Sequence, residues 1–464
     1  MRVHAHDYRG PDLSGIYDGA VLMHRQVLRL LQQRTAPHLH DLTAWPRCQD
    51  GLRAAGGTEE AVVYAGSGPY AFLYHLWRER TGADVRIVRE VHTALWSGYW
   101  LQEELCAPLV RPGDLALFPT EYTRALYRGH FPSVERGGSA VAYPMLPDGV
   151  RAAAPKPAGR TLRVGYLGAL SLAKNFDQVL DVAARAHRET GGAVELLCAG
   201  KPNDPRWQEQ AVRERVAAAG ADPGLVRTAG QLPPERLGEF FAEVDVLLFP
   251  STASRETLGR VVLEALEHGV PVLAADVGPA VELLPARNLL PTALDTGSAF
   301  RMDRVGPLGR IDEDTAVARL VARDWAPPEF ARTAPYGPGA FLAALEGRPD
   351  ASGFPADERI ATALRVSPRA GADPRAAAEE AEAVFTAFFA ADRAELRRRV
   401  KAAEAAADRE LPGLHAVVEQ PDRNLADYRA LPRLLDATVM PPLAYRLEGA
   451  AAAPHRTGEA THHG

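Results

Sequence analysis

The chain has 464 residues, a formal net charge of −6, 24% charged and 46% hydrophobic residues. At roughly 150 residues per domain there is room for two or three domains, each able to bury a core. The mildly acidic balance argues against nucleic acid or an anionic membrane as partner. Cys48, Cys106 and Cys198 are far apart and odd in number, which argues against a disulfide framework or structural zinc.

The N-terminus, Met1-Arg2-Val3-His4-Ala5-His6-Asp7, lacks the apolar core of a signal peptide. No apolar run approaches the roughly 20 residues that span a bilayer, so the expectation is a cytoplasmic protein without a transmembrane segment. The rise in Ala, Arg and Gly is associated with a GC-rich bacterial source.

Over residues 1–155 the pattern alternates strand and helix. Val3 to His6 predicts a strand, then come the Gly10 to Gly19 loop and a helical pattern through Val21, Leu22, Val27, Leu28, Leu30 and Leu31. Further strands are expected at 61–64, 85–91 and 115–119. Ala152 to Arg160 is small, Pro-containing and aperiodic, and reads as a linker. Residues 160–345 repeat the alternation. Strands are expected at 162–167, 194–199, 225–229, 244–249 and 271–275, with helices near 175–189, 206–219, 234–242 and 259–267. Continuous apolar runs such as Val244 to Phe249 suit strands buried on both faces. The fold class expected is α/β: two Rossmann-like domains facing a cleft. From 355 to 445 a helical extension is expected, opened by Asp373-Pro374. Its apolar face of Val384, Phe385, Phe388, Phe389, Leu396 and Val400 would pack on the chain's own body or pair two copies as a homodimer. Residues 449–464 read as a disordered tail.

The segment that carries chemistry runs from Phe249-Pro250-Ser251 to Val270-Pro271-Val272. A strand ends, a loop carries Glu256, and a helix beginning near Gly259 carries Glu264 and stops at Gly269. A helix N-terminus at the carboxyl end of a parallel strand suits a diphosphate, because its first amides are free and its dipole is positive there. Carboxylates at two separated points can accept hydrogen bonds from the hydroxyls of a sugar and of a ribose. Two glutamates eight residues apart on a loop and helix would otherwise be ordinary solvated side chains.

In this order Pro250, Ser251, Glu256, Leu258, Gly259, Glu264, Ala265, Gly269, Pro271 and Val272 resemble the signature of the retaining GT-B glycosyltransferases of family 4. The resemblance is strong over about 160–290, weaker over 1–150 and faint beyond 300. It implies that Glu256 contacts the donor sugar, that Glu264 holds the ribose, and that the backbone of Thr257, Leu258 and Gly259 meets the diphosphate. It implies a phosphate-facing Lys174 in Gly168-Ala169-Leu170-Ser171-Leu172-Ala173-Lys174-Asn175, with Ala169 where the family carries an arginine. Arg255 and Arg260 are the cations that could compensate. It places Gln231 and Leu232 by the nucleobase, Gly15 by the phosphates and acceptor, and His92 opposite the donor sugar. A lone histidine at a strand end is as often structural. Glu282 matches a further acidic position without an evident role.

The implied reaction moves a sugar from a nucleoside-diphosphate sugar to a hydroxyl-bearing acceptor, with no permanently bound cofactor. His4-x-His6 and His38-x-His40 lack a third ligand at sensible spacing, so no metal is expected. Trp96, Tyr99 and Trp100 read equally as an acceptor platform or as core. Rival readings are a two-carboxylate glycosidase, a non-glycosidic coupling enzyme on the same fold, and a degenerate transferase-like partner subunit.

Overall fold

Strands that are apolar at nearly every residue need cover on both faces, and helices supply it here. The computed structural model describes residues 2–6, 19–55, 61–66, 68–146, 159, 161–329, 335–349, 352–367, 373–419, 430–440 and 443–449. The 152–160 linker (Gly159 apart), Gly15 and the tail beyond Gly449 lie outside the described residues.

In the first domain β1 (Arg2–His6), α1 (Gly19–Arg34), β2 (His38–His40), α2 (Trp45–Ala55), β3 (Ala61–Ala65) and α3 (Ala71–Thr81) are followed by β4 (Val85–Glu90), α4 (Ser97–Cys106), β5 (Leu115–Phe118), α5 (Glu121–Arg128), α6 (Pro132–Gly137) and β6 (Ser139–Val141). The strands form one parallel sheet in the order β2-β1-β3-β4-β5-β6. β2 and β6 are three-residue edge strands, too short to show a periodic signal.

The second domain runs β7 (Leu162–Leu167), α7 (Phe176–Glu189), β8 (Val194–Ala199), α8 (Glu209–Ala218), β9 (Val226–Thr228), α9 (Leu237–Glu243), β10 (Val246–Phe249), α10 (Arg260–Glu267), β11 (Val272–Ala275), α11 (Pro279–Leu283) and β12 (Leu289–Leu290). Its parallel order is β12-β11-β10-β7-β8-β9, the doubly wound Rossmann arrangement. The order reverses between β7 and β10, so the chain leaves these two strands toward opposite sides and opens a crevice at their carboxyl ends. β13 (Thr292–Leu294), β14 (Ala299–Arg301), β15 (Gly309–Ile311) and α12 (Glu313–Ala322) complete this half. The two sheets give the GT-B architecture expected from the sequence.

The remainder crosses back to the first domain. α13 (Pro338–Leu345) sets Phe341 edge-on to Tyr64, ring centroids 5.3 Å apart, and Tyr143 N–H donates to the Pro335 carbonyl at 2.9 Å. α14 (Arg359–Ala363), β16 (Leu364–Val366), α15 (Pro374–Phe389), α16 (Arg393–Ala407), α17 (Pro412–Glu419), α18 (Ala430–Thr438) and β17 (Ala444–Leu447) follow. The extension is therefore not helical throughout. β16 and β17 join β14 in an antiparallel sheet that ties the chain's end to the second domain.

Asp373 caps α15 by accepting from Arg375 N–H, with Pro374 in the first turn. The buried face of Val384, Phe385, Phe388, Leu396 and Val400 packs with Trp45, Tyr70, Phe72, Leu76 and Leu101 of the first domain. Each fully buried side chain of this size contributes about 1.5–3 kcal/mol. That face is occupied within the chain, which removes it as a surface for pairing two copies.

Among the described residues no helix is long and apolar enough to cross a membrane. All three cysteines are free and buried. Parallel pairing of β1 with β2 brings His4 within 5.2 Å, ring to ring, of both His38 and His40, a cluster invisible in the spacing. Among the described residues no three His, Cys, Asp or Glu groups converge as a metal site.

Candidate functional site

The crevice between β7 and β10 is built by turn chemistry. Gly168 leaves β7 at φ 144° and Gly200 leaves β8 at φ 154°. A Cβ on Gly200 would stand 1.7 Å from the Gly168 carbonyl oxygen, so the two strand ends meet only because this residue is glycine. Ala169, in the place of the family's arginine, gives its carbonyl to the Tyr166 hydroxyl at 2.8 Å. The chain then makes a short 3₁₀ turn, Leu172–Lys174, and reverses through Asn175 at φ 53°. The fully buried Asn175 amide donates to the Pro250 carbonyl, the Thr252 hydroxyl and the Gly309 carbonyl, each at 3.0 Å. This places the turn after β7 against the loop after β10.

Lys174 and Glu256 meet there. The Lys174 ammonium donates to Glu256 Oε2, which also accepts from the Ser251 hydroxyl at 3.2 Å. Glu256 Oε1 accepts from the Gly259 amide at 3.2 Å. Burial by itself would raise the Glu256 pKa. The Lys174 charge and the three hydrogen bonds outweigh it and hold the carboxyl below its usual value, so it is an anion at neutral pH.

Gly259, at φ 63°, starts α10 without a side-chain cap. One turn on, Glu264 Oε1 accepts from Arg260 Nε at 2.7 Å. Burial raises the Glu264 pKa and Arg260 only partly opposes it. Thr257 and Leu258 are buried. The Thr257 carbonyl accepts from the Thr120 hydroxyl of the first domain at 2.8 Å. Gly230 accepts from the Gly200 amide at 2.8 Å, which brings the exposed Gln231 and half-buried Leu232 to the same carboxyl-end rim as Gly168. Leu232 lines a cavity of about 180 Å³ with Leu197, Arg227 and Phe240. A larger cavity of about 890 Å³ is lined by Asp276, Asp357, Arg359, Arg365 and Glu448, among others, and none of the residues assigned from sequence lines it.

His92 has a different setting. Its Nδ1 lies 2.6 Å from the Tyr143 hydroxyl and its Nε2 lies 3.2 Å from Glu90 Oε1. The Tyr64 hydroxyl donates to the other Glu90 oxygen. Nδ1 thus has a hydrogen-bond partner within the first domain, and Nε2 is buried beside the Glu90 carboxyl. Trp96, Tyr99 and Trp100 are all buried, which favours the packing reading over an open acceptor platform. Arg255 lies over the Trp96 ring, 5.5 Å from its centroid, and donates to the Met302 carbonyl at 3.4 Å. The two domains touch directly at this loop: Leu95 N–H donates to the Ser254 carbonyl at 3.0 Å.

Sequence reasoning left Glu90, Tyr64, Tyr143 and Thr120 unassigned. Tyr64 sits within the apolar β3 and Glu90 ends β4, and only the pairing of the two strands brings them together. Asn175 and Thr120 did carry signals: an Asn at a left-handed turn beside a lysine, and Thr120-Glu121 as a helix start.

Two Rossmann-like sheets, with a lysine–glutamate pair at the switch point of the second, make up the GT-B architecture. Comparison with known proteins adds what the chain is similar to. Residues 161–295 match the family model of glycosyl transferases group 1. A D-inositol 3-phosphate glycosyltransferase from Nocardia farcinica is 34% identical over 117 residues, 25% of this chain and 25% of that protein. A GDP-mannose-dependent alpha-(1-6)-phosphatidylinositol monomannoside mannosyltransferase from Mycobacterium tuberculosis is 27% identical over 286 residues, 57% of this chain and 71% of that protein. The chain spans only about a quarter of the length of the first such relative. Among solved structures, the sucrose-phosphate synthase of Thermosynechococcus elongatus aligns with a TM-score of 0.47 at 16% identity, covering 74% of this chain and 94% of that one. The pneumococcal O-GlcNAc transferase GtfA aligns with a TM-score of 0.43 at 14% identity, covering 61% and 52%.

Proposed function

We propose that the protein is a retaining glycosyltransferase that binds a nucleoside-diphosphate sugar in the β7/β10 crevice and transfers the sugar to an acceptor hydroxyl. The observation that carries this reading is the Lys174–Glu256 pair at the topological switch point, beside the uncapped start of α10. A diphosphate laid on the first turn of α10 would compete with Glu256 for Lys174. Glu256 is then released to accept hydrogen bonds from the sugar hydroxyls. Glu264, one turn along the helix, takes the ribose hydroxyls.

As the glycosidic bond breaks, negative charge grows on the leaving phosphate, where the ammonium and the helix amides are already oriented. The phosphate itself is the base closest to the incoming hydroxyl, so no side-chain base is required. The cation missing at Ala169 is assigned to Arg260, which stands in the first turn of α10 with its guanidinium on Glu264. Gly168, Thr257, Leu258 and Gly259 shape the phosphate-facing wall, and Gln231 and Leu232 the nucleobase rim. His92 is assigned to the first-domain wall of the cleft. The names of the relatives make GDP-sugars and inositol-bearing acceptors the first classes to try.

A thermal-shift panel of nucleotide sugars tests the reading, since a ligand that binds only the folded state raises its melting temperature. The expected result is a rise with one nucleotide family that is lost in Glu264→Ala. No shift with any UDP-, GDP-, ADP- or dTDP-sugar would sink the proposal.

A further inference from the structure

Glu282 lies on α11 of the second domain, yet its carboxyl oxygens accept two hydrogen bonds from the first. Its side chain is completely buried, with Oε2 accepting from the Glu121 amide at 2.9 Å and Oε1 from the Tyr122 amide at 2.6 Å. These are the first two residues of α5. Amides in the first turn of a helix have no partner within it, so α5 is completed from the other domain. The third amide, of Thr123, is taken by the Thr120 hydroxyl oxygen at 3.2 Å. That same hydroxyl donates its only proton to the Thr257 carbonyl, one residue past Glu256. Tyr122 is packed close to Gly278, where an added Cβ would meet its ring at 3.2 Å. Gly278 N–H is held by Asp357 at 2.8 Å, and Arg359 in turn holds Asp357 at 2.9 Å.

We propose that Glu282 is a positioning residue: it latches the Thr120–Tyr122 turn of the first domain onto the second and, through Thr120 and the Thr257 carbonyl, sets the loop that carries Glu256. The latch spans both domains, so a domain rotation that breaks it also releases the Glu256 loop. Its link to donor chemistry rests on the donor-site reading above; its mechanical part does not.

Hydrogen–deuterium exchange on the full chain, with no ligand, tests the mechanical part. Glu282→Ala removes the acceptor of both amides, whichever protonation state the carboxyl holds. The expected result is faster exchange at 121–123 and also at 254–259, with strands β7 and β8 unchanged. Thr120→Val leaves Glu282 in place and serves if the first variant does not fold; it should speed exchange at 254–259 while 121 and 122 stay protected. Exchange at 254–259 that stays at the wild-type rate in both variants overturns the proposal.

The donor link is read separately. Calorimetry with UDP and GDP should give wild-type affinity for whichever nucleotide binds, because the crevice lies within the second domain. With the corresponding nucleotide sugar, kcat should fall about tenfold at unchanged KM. Equal losses in nucleotide affinity and kcat overturn the positioning role. If the wild-type chain binds neither nucleotide, the donor-site reading fails, while the exchange data still decide the latch.

Discussion

Two polar centres, one in each domain, are built differently. In the second domain Lys174 and Glu256 are 27% and 15% exposed and carry opposite charges. In the first domain Glu90 and His92 are 3% and 6% exposed, and Tyr64 and Tyr143 close the set. A site that must exchange partners keeps access to solvent, whereas a network that fixes a wall satisfies itself internally. On the donor-site reading proposed above, chemistry belongs to the second domain's corner and shape to the first's.

The sharpest way to break the comparison is Glu90→Ala. It strips the acceptor from the buried Tyr64 hydroxyl and leaves a cavity beside it, and should lower stability by about 2–4 kcal/mol. A denaturant titration measures it. A loss below about 1 kcal/mol would place Glu90 outside a closed network. Glu256→Gln should do the reverse: turnover falls by about 2–4 kcal/mol in activation free energy, while the unfolding midpoint moves little. Steady-state rates comparable with wild type would remove Glu256 from the donor site. Glu264→Ala should weaken nucleotide binding by roughly 1–3 kcal/mol with a smaller effect on kcat, read by calorimetry.

A smaller effect concerns pH. Burial, together with the nearby Glu121 and Asp357 charges, raises the Glu282 pKa from its ordinary 4.5 to about 8, although the Tyr122 and Glu121 amides oppose the shift. The folded state therefore holds this proton more tightly than the unfolded state does. The stabilising contribution is present in full below about 4.5, declines as pH rises, and is gone above about 8. Urea midpoints for wild type and Glu282→Gln should accordingly drift apart between pH 5 and pH 8, with wild type losing more stability. Parallel curves would show that the group does not titrate in this window. The smallest effect is expected at Arg80→Ala. That residue pairs with Glu382 at 2.6 Å but is 44% exposed, so the change should stay within about 0.5 kcal/mol.

The second domain was the more legible half. Its strands are mostly apolar runs, and Pro250 to Val272 contains a helix start, a helix stop and both Glu256 and Glu264 in one continuous segment. Local sequence carries such signals because turns and caps depend on neighbours only a few residues away. The first domain was harder to read. The Tyr64–Glu90–His92–Tyr143 set draws on β3, β4 and the loops after β4 and β6, and no spacing rule relates those positions.

The sequence by itself determined the alternating α/β elements of both sheets, the loop-to-helix placement of Glu256 and Glu264, the Asp373-Pro374 helix start and the apolar face of the extension. These follow from side-chain periodicity and backbone preference, which act locally. Only the tertiary structure decided that Lys174 meets Glu256, that the extension is buried on α3 and α4 of its own chain, that Glu282 completes a helix in the other domain, and that β14, β16 and β17 pair across some 150 residues of chain. Those choices depend on which surfaces remain uncovered once each sheet has formed, a property of the assembled fold that no single segment contains.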